Sequence, residues 1–269
     1  MPRPQVARPR VFHLSAAAKA HKHLTCQGEV AQVVEWIEAD VADVHWVESL
    51  LGYAYVFAGL LFVVGSVYFL PSFSAYVEAG CYLYLVGGVI YFATSLFDME
   101  EASHVSHRFE VMMNFLYLVG SVFFNGATVL YIPEVSSRLG SETAGRYGSG
   151  GFIIGSALFI FACFLNGAHT GDAFSGGSKD ARLAKVSVLA TTNATMFGSC
   201  LFLVGSVLYM PDLGCAEETA VYGTYCYLWG SVAFVVAGVL PLLRTRKGER
   251  LQVTDAAPTL GSPPAPRPA

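Results

Sequence analysis

Leu60-Leu61-Phe62-Val63-Val64-Gly65-Ser66-Val67-Tyr68-Phe69-Leu70, a charge-free run closed by Pro71, decides the fold of this chain. The run reaches back to Leu51, and an apolar helix of about 20 residues is what crosses the hydrocarbon core of a bilayer. A second such stretch follows at once, and the pairing recurs twice more downstream. The expected spans are Leu51 to Leu70, Gly80 to Phe97, Val111 to Ile132, Gly150 to Asn166, Ser187 to Met210 and Val221 to Leu243. Composition agrees: 54% of the 269 residues are hydrophobic, 13% are charged, and the mean hydropathy is +0.50. A soluble domain of this length carries more charge.

Small residues recur at matching places in the three pairs. The first helix of each has Gly59 and Gly65, Gly120 and Gly126, or Ser199 and Gly205, and the prolines Pro71, Pro133 and Pro211 follow. The second helix has Gly80 and Gly87, Gly148 and Gly155, or Gly223 and Gly230. Apolar burial gives helices in lipid little reason to associate, so close backbone approach at small residues supplies much of the attraction. Residues seven apart drift only about 20° around a helix, so each pair forms a seam suited to left-handed packing. These twelve positions are therefore read as helix-packing residues. The fold expected is all-α: a polytopic membrane protein of three repeated hairpins.

Six spans put both termini and the two long connections on one side. That side holds fourteen of the sixteen Lys and Arg residues, all but Arg138 and Arg146. Positive residues accumulate on the cytoplasmic side, so the termini are expected there or in an equivalent compartment. The six cysteines follow no spaced framework; Cys81, Cys215 and Cys226 lie toward the opposite side, where a disulfide among them needs an oxidising compartment.

Residues 1–28 carry five basic residues and no acid, a composition that fits a basic disordered tail or a transit-like segment. From Glu29 to Glu48, Val30, Val33, Val34, Ile37, Val41 and Val44 recur at helical spacing against an acidic face, which predicts an amphipathic helix. Its acidity disfavours anionic lipid and suits packing on the bundle or on a partner. A Pro-rich disordered tail is expected over 245–269. The hairpins are expected over 49–99, 109–168 and 185–244.

Asn114, Asn125 and Asn193 are polar groups inside spans, and such groups serve either as interhelical hydrogen-bonding glue or as a transport path. Counted back twelve residues from Gly126 and Gly205, Asn114 and Asn193 read as equivalent. His104 and His107, in the loop between the second and third spans, would share one face of a helix as a two-histidine metal site requires. Their spacing matches no specific metal motif. Ten of the fourteen tyrosines lie toward the side opposite the termini, as an aromatic belt or an aromatic-lined mouth. No histidine falls within an expected span to hold haem, and no Walker, HExxH, GxSxG or CxxC motif is present. The expectation is no cofactor. A net charge of −4 without a basic patch gives no support to nucleic-acid binding.

The run over residues 60–70, followed by Ala79-Gly80-Cys81-Tyr82-Leu83-Tyr84-Leu85-Val86-Gly87-Gly88, resembles the YrhK-like domain, a two-helix membrane hairpin with a Gly-Ser inside each apolar run. The third hairpin resembles it more closely, through Gly198, Leu201 to Ser206 and Trp229-Gly230-Ser231. The second departs, with Gly126-Ala127 and Gly155-Ser156. The resemblance implies three tandem hairpin units and no activity or catalytic residue. The expected function is a non-catalytic membrane scaffold or partner-binding subunit, touching the bilayer and a membrane-protein partner or a second copy. The alternative is a small-solute or ion transporter whose polar path is lined by Asn114, Asn125 and Asn193.

Overall fold

The computed structural model describes residues 49–104, 108–173, 179–213 and 217–255. The basic tail, the amphipathic segment over 29–48, His107, Cys215 and residues 256–269 lie outside them. Seven α-helices are described: α1 (Ser49–Tyr68), α2 (Val77–His104), α3 (Arg108–Tyr131), the short α4 (Pro133–Leu139), α5 (Ser141–Ala173), α6 (Lys179–Leu208) and α7 (Glu217–Asp255). No strand occurs among the described residues. Six stretches are long and apolar enough to cross a membrane: Ser49–Tyr68, Pro71–Glu100, Phe109–Tyr131, Ser141–Thr170, Lys185–Leu208 and Thr219–Leu243. The protein is an integral membrane protein.

Each first helix stops where proline removes a backbone donor and clashes with the preceding turn. Pro71 and Pro211 open 3-10 turns, and Pro133 opens α4, which Gly140 ends at φ +87°, a left-handed geometry suited to glycine. The fourth span is the largest departure from expectation. It begins at Ser141 instead of Gly150, because packing carries the helix through its glycines: Gly148 lies against the Tyr131 ring and Gly151 against Ala127 and the Phe123 carbonyl. Helix α7 runs on to Asp255, past the boundary expected at 244, carrying Pro241 within it.

The six long helices close into a ring. Hairpins α1–α2, α3–α5 and α6–α7 join through α2 against α3, α5 against α6, and α7 back against α1. The last seam is seen at Gly59, where a Cβ would come within 3.1 Å of the Val235 amide nitrogen, and at Gly238, against Val56. Large aliphatic side chains such as Leu60, Val64, Val86, Val122 and Val204 are exposed on the outside, as lipid contact requires. The inside is aromatic rings and small hydroxyl residues.

The three hairpins place corresponding rings at matching separations. Phe62, Phe124 and Phe202 each stand nine residues before the turn proline, and each meets a ring on its return helix at the same separation: Tyr84 at 5.0 Å, Phe152 at 5.1 Å, Tyr227 at 5.1 Å. The same phenylalanines meet Tyr91 at 5.5 Å, Phe159 at 5.3 Å and Phe234 at 5.4 Å. This register corrects the one drawn from glycines. Gly65 and Gly205 correspond to Ala127, not Gly126, which is exposed and whose Cβ would meet nothing within 4 Å. The matching upstream positions are Ala58, Gly120 and Gly198, so first and second helices alike use a seven-residue seam.

Candidate functional site

The axis of the ring is the one place to which all three hairpins contribute, so the candidate site is built there. Four tiers of rings fill it. From the turn end inward they are Phe69, Tyr131 and Tyr209; then Tyr84, Phe152 and Tyr227; then Phe62, Phe124 and Phe202; then Tyr91, Phe159 and Phe234. Neighbouring hairpins touch within tiers, with Phe124 5.5 Å and Phe62 6.4 Å from Phe202, and Phe152 6.0 Å from Tyr227. Phe202 has no exposed surface. Glycine seams let the rings lie this way: a Cβ on Gly230 would sit 2.6 Å from Phe202, one on Gly87 2.8 Å from Phe62, and one on Gly155 2.5 Å from Phe124.

Hydroxyls tie the tiers to the helices. Ser66, Thr128, Ser206, Thr224 and Ser231 each donate to the carbonyl four residues back, at 2.6 to 3.1 Å, which satisfies them inside lipid without a partner helix. Those protons being spent, the tyrosines are the donors in the cross-helix bonds: Tyr84 to Ser66 at 2.6 Å, Tyr227 to Ser206 at 3.0 Å and Tyr209 to Thr224 at 2.5 Å. The Tyr131 hydroxyl lies 2.6 Å from Ser149 Oγ and bonds the Gly145 carbonyl at 3.4 Å.

At the turn end the packing leaves a cavity of about 200 Å³. The first two tiers surround it, with Val77, Cys81 and Thr128 completing the wall. The Cys81 thiol donates to the Tyr131 carbonyl at 3.4 Å, and the Thr128 hydroxyl donates to the Phe124 carbonyl at 2.9 Å. No charged side chain reaches the lining. Further along the axis a second cavity, lined by Phe62 and Phe124 together with Tyr91, Phe159 and Phe234, shrinks to about 10 Å³.

The three asparagines do not converge. Asn114 Nδ2 bonds the Asp98 carbonyl at 2.9 Å across the α2–α3 seam. The matching α5–α6 bond joins Asn166 Nδ2 and Thr192 Oγ1 at 2.9 Å, so Thr192 is the residue equivalent to Asn114. Asn193, one position on, is exposed on the outer face. Asn125 Nδ2 bonds the Ser121 carbonyl at 2.8 Å, while its buried Oδ1 has no hydrogen-bond partner and lies where a Cβ on Gly88 would go.

His104 ends α2, and no cluster of three or more His, Cys, Asp or Glu residues able to hold a metal occurs among the described residues. His169, expected outside the fourth span, lies within it and packs against Phe109 in a tilted ring pair at 4.8 Å. Cys81 and Cys226 are free thiols. Arg138 and Arg146, the two cations on the turn side, are paired with Glu134 and with Asp212 and Glu142 respectively.

Sequence reasoning missed the tiers because it followed glycines. The signal was present as an aromatic nine residues before each turn proline.

These features define a polytopic helical membrane protein made of repeated hairpins packed on an aromatic axis. The family model described as YrhK-like protein matches residues 44–100 and 186–245, so the first and third hairpins are similar to that family. No curated protein and no solved structure matches the chain.

Proposed function

We propose that this protein is a non-catalytic membrane scaffold, a rigid six-helix ring that presents its faces and its termini to a membrane-protein partner or a second copy. The observation that supports it is the axis, where Phe202 packs against both Phe62 and Phe124 and the space left beside them is only about 10 Å³. The transport alternative asks for a continuous polar path, and the separated positions of Asn114, Asn125 and Asn193 lend it no support. Reconstitution into liposomes tests the choice. A scaffold leaves ion and small-solute flux at the level of empty vesicles, and saturable flux would overturn the proposal. Mild-detergent purification should also recover a stoichiometric partner or a defined oligomer; recovery of a lone monomer across several detergents would count against it.

The middle hairpin, on this reading, is a third and diverged copy of the YrhK-like unit, with Ala127-Thr128 standing where the others have Gly-Ser. The ring separations shared by all three hairpins support that descent. The termini are assigned to the cytoplasmic or equivalent side by the bias of Lys and Arg, of which only Arg138 and Arg146 lie on the turn side.

A further inference from the structure

The cavity at the turn end of the axis has an unusual hydrogen-bonding character. With the Ser66, Thr224 and Ser206 protons assigned to their own helix carbonyls, the Tyr84, Tyr209 and Tyr227 hydroxyls are assigned as donors to these three oxygens; the Thr128 hydroxyl donates to a carbonyl, and so does the Cys81 thiol. Each of these protons is spent on the protein. What the hydroxyls keep is oxygen lone pairs, so a molecule entering the cavity meets aromatic walls and hydrogen-bond acceptors. A ligand with only acceptors gains nothing polar there, and an anion or cation would lose its hydration without a counter-charge. Size sets the other limit: an apolar cavity of about 150 Å³ holds a benzene ring, and this one measures about 200 Å³. Ring-lined walls favour a planar occupant in offset or edge-on contact.

We propose that this cavity binds an uncharged single-ring molecule bearing a hydroxyl donor, a phenol in chemical class. The proposal goes beyond the scaffold reading and does not depend on it, since liposome flux leaves it untouched. A free phenol and a membrane lipid with a phenolic headgroup share this chemistry.

The full chain in lipid nanodiscs, a diazirine-bearing alkylphenol and mass-spectrometric mapping of the labelled residues provide the test. Labelling should concentrate on α2 near Val77 and Cys81 and on the turn-side ends of α3 and α6. Unlabelled 4-ethylphenol should compete about five- to tenfold better than its methyl ether, the margin one neutral hydrogen bond supplies. That ratio should fall in the double variant Tyr84→Phe, Tyr209→Phe, which removes two of the acceptor oxygens in the lining and leaves those of Tyr227 and Thr128. Phe152 and Phe69 already occupy the equivalent places in other hairpins, so this variant is expected to fold. Val77→Phe should abolish labelling by filling the cavity. Equal competition by phenol and ether, or labelling spread over the lipid-facing surface and unchanged by Val77→Phe, would overturn the proposal. Comparing 4-ethylphenol with 4-dodecylphenol separates the two sources: a preference for the long tail points to a membrane-borne ligand, parity to an aqueous one.

Discussion

Gly230→Ala should destabilise the ring, and Gly126→Ala should not, although both add one methyl to a helical glycine in a membrane span. On α7 the new Cβ would stand 2.6 and 2.9 Å from two atoms of the Phe202 ring and 3.0 Å from the Gly198 carbonyl. Phe202 is fully buried and is the hub of the axis, touching Phe62, Tyr84, Phe124, Tyr227 and Phe234, so its ring has no free direction in which to yield. Overpacking of this kind costs about 1–3 kcal/mol, and replacing glycine by alanine in a helix returns roughly 1 kcal/mol. The net expectation for Gly230→Ala is a loss of up to about 2 kcal/mol. At Gly126 the methyl enters open space facing lipid, leaving only the helix-propensity gain, up to roughly 1 kcal/mol. The two variants should therefore differ by about 1–3 kcal/mol, the overpacking cost alone, since the propensity contribution largely cancels. Reversible unfolding in mixed micelles, titrated with a denaturing detergent and followed by circular dichroism, measures it. Equal stability of the two variants would refute the seam register and the tiered packing built on it.

Other outcomes follow from the same contacts. Gly88→Ala should be destabilising because Asn125 occupies the space its Cβ needs; adding Asn125→Ala frees that space and removes a buried unpartnered oxygen, so the double variant should be more stable than Gly88→Ala alone by about 1–3 kcal/mol in the same titration. A double-mutant cycle on Tyr209→Phe and Thr224→Val should return a coupling of roughly 0.5–1.5 kcal/mol for the 2.5 Å bond between them, while a coupling near zero would undo the bond itself. Arg146→Ala removes the 2.6 Å bridge to Asp212 that joins the turns of the second and third hairpins; both side chains are about half exposed, so the loss should stay within about 0.5 kcal/mol and vanish in high salt, as thermal melts at two ionic strengths would show.

The six spans were legible because lipid imposes length and apolarity on every crossing helix, and Pro71, Pro133 and Pro211 mark three of the ends. The ring was not. Nothing in one helix states which neighbours it meets, and the closing contacts of Gly59 with Val235 and of Gly238 with Val56 join residues almost two hundred positions apart. The extent of the fourth span was hidden for another reason: three glycines in Gly148-Ser149-Gly150-Gly151 read as a weak helix when weighed by propensity alone. Gly148 meets Tyr131 and Gly151 meets Ala127, so tertiary packing holds the helix together.

The one-residue slip in the middle hairpin carries the more general physical lesson. Aligning Gly126 with Gly65 and Gly205 assumes that the smallest residue marks the seam, whereas a seam needs small volume only at the depth the facing ring demands. In the first hairpin the Tyr84 ring lies 2.6 Å from where a Cβ on Gly65 would be, and in the third the Tyr227 ring lies 3.1 Å from the corresponding point at Gly205. Their hydroxyls reach past these glycines to Ser66 and Ser206. In the middle hairpin that ring is Phe152, which has no hydroxyl to place, and Ala127 fills the position while remaining almost wholly buried. The pair of substitutions is one change: with the tyrosine oxygen gone, the close approach that required glycine goes with it, and Thr128 is left bonded only to its own helix. A Phe152→Tyr variant should therefore be tolerated only together with Ala127→Gly, and the phase that aligns these residues is set by Phe62, Phe124 and Phe202, each nine residues before its proline.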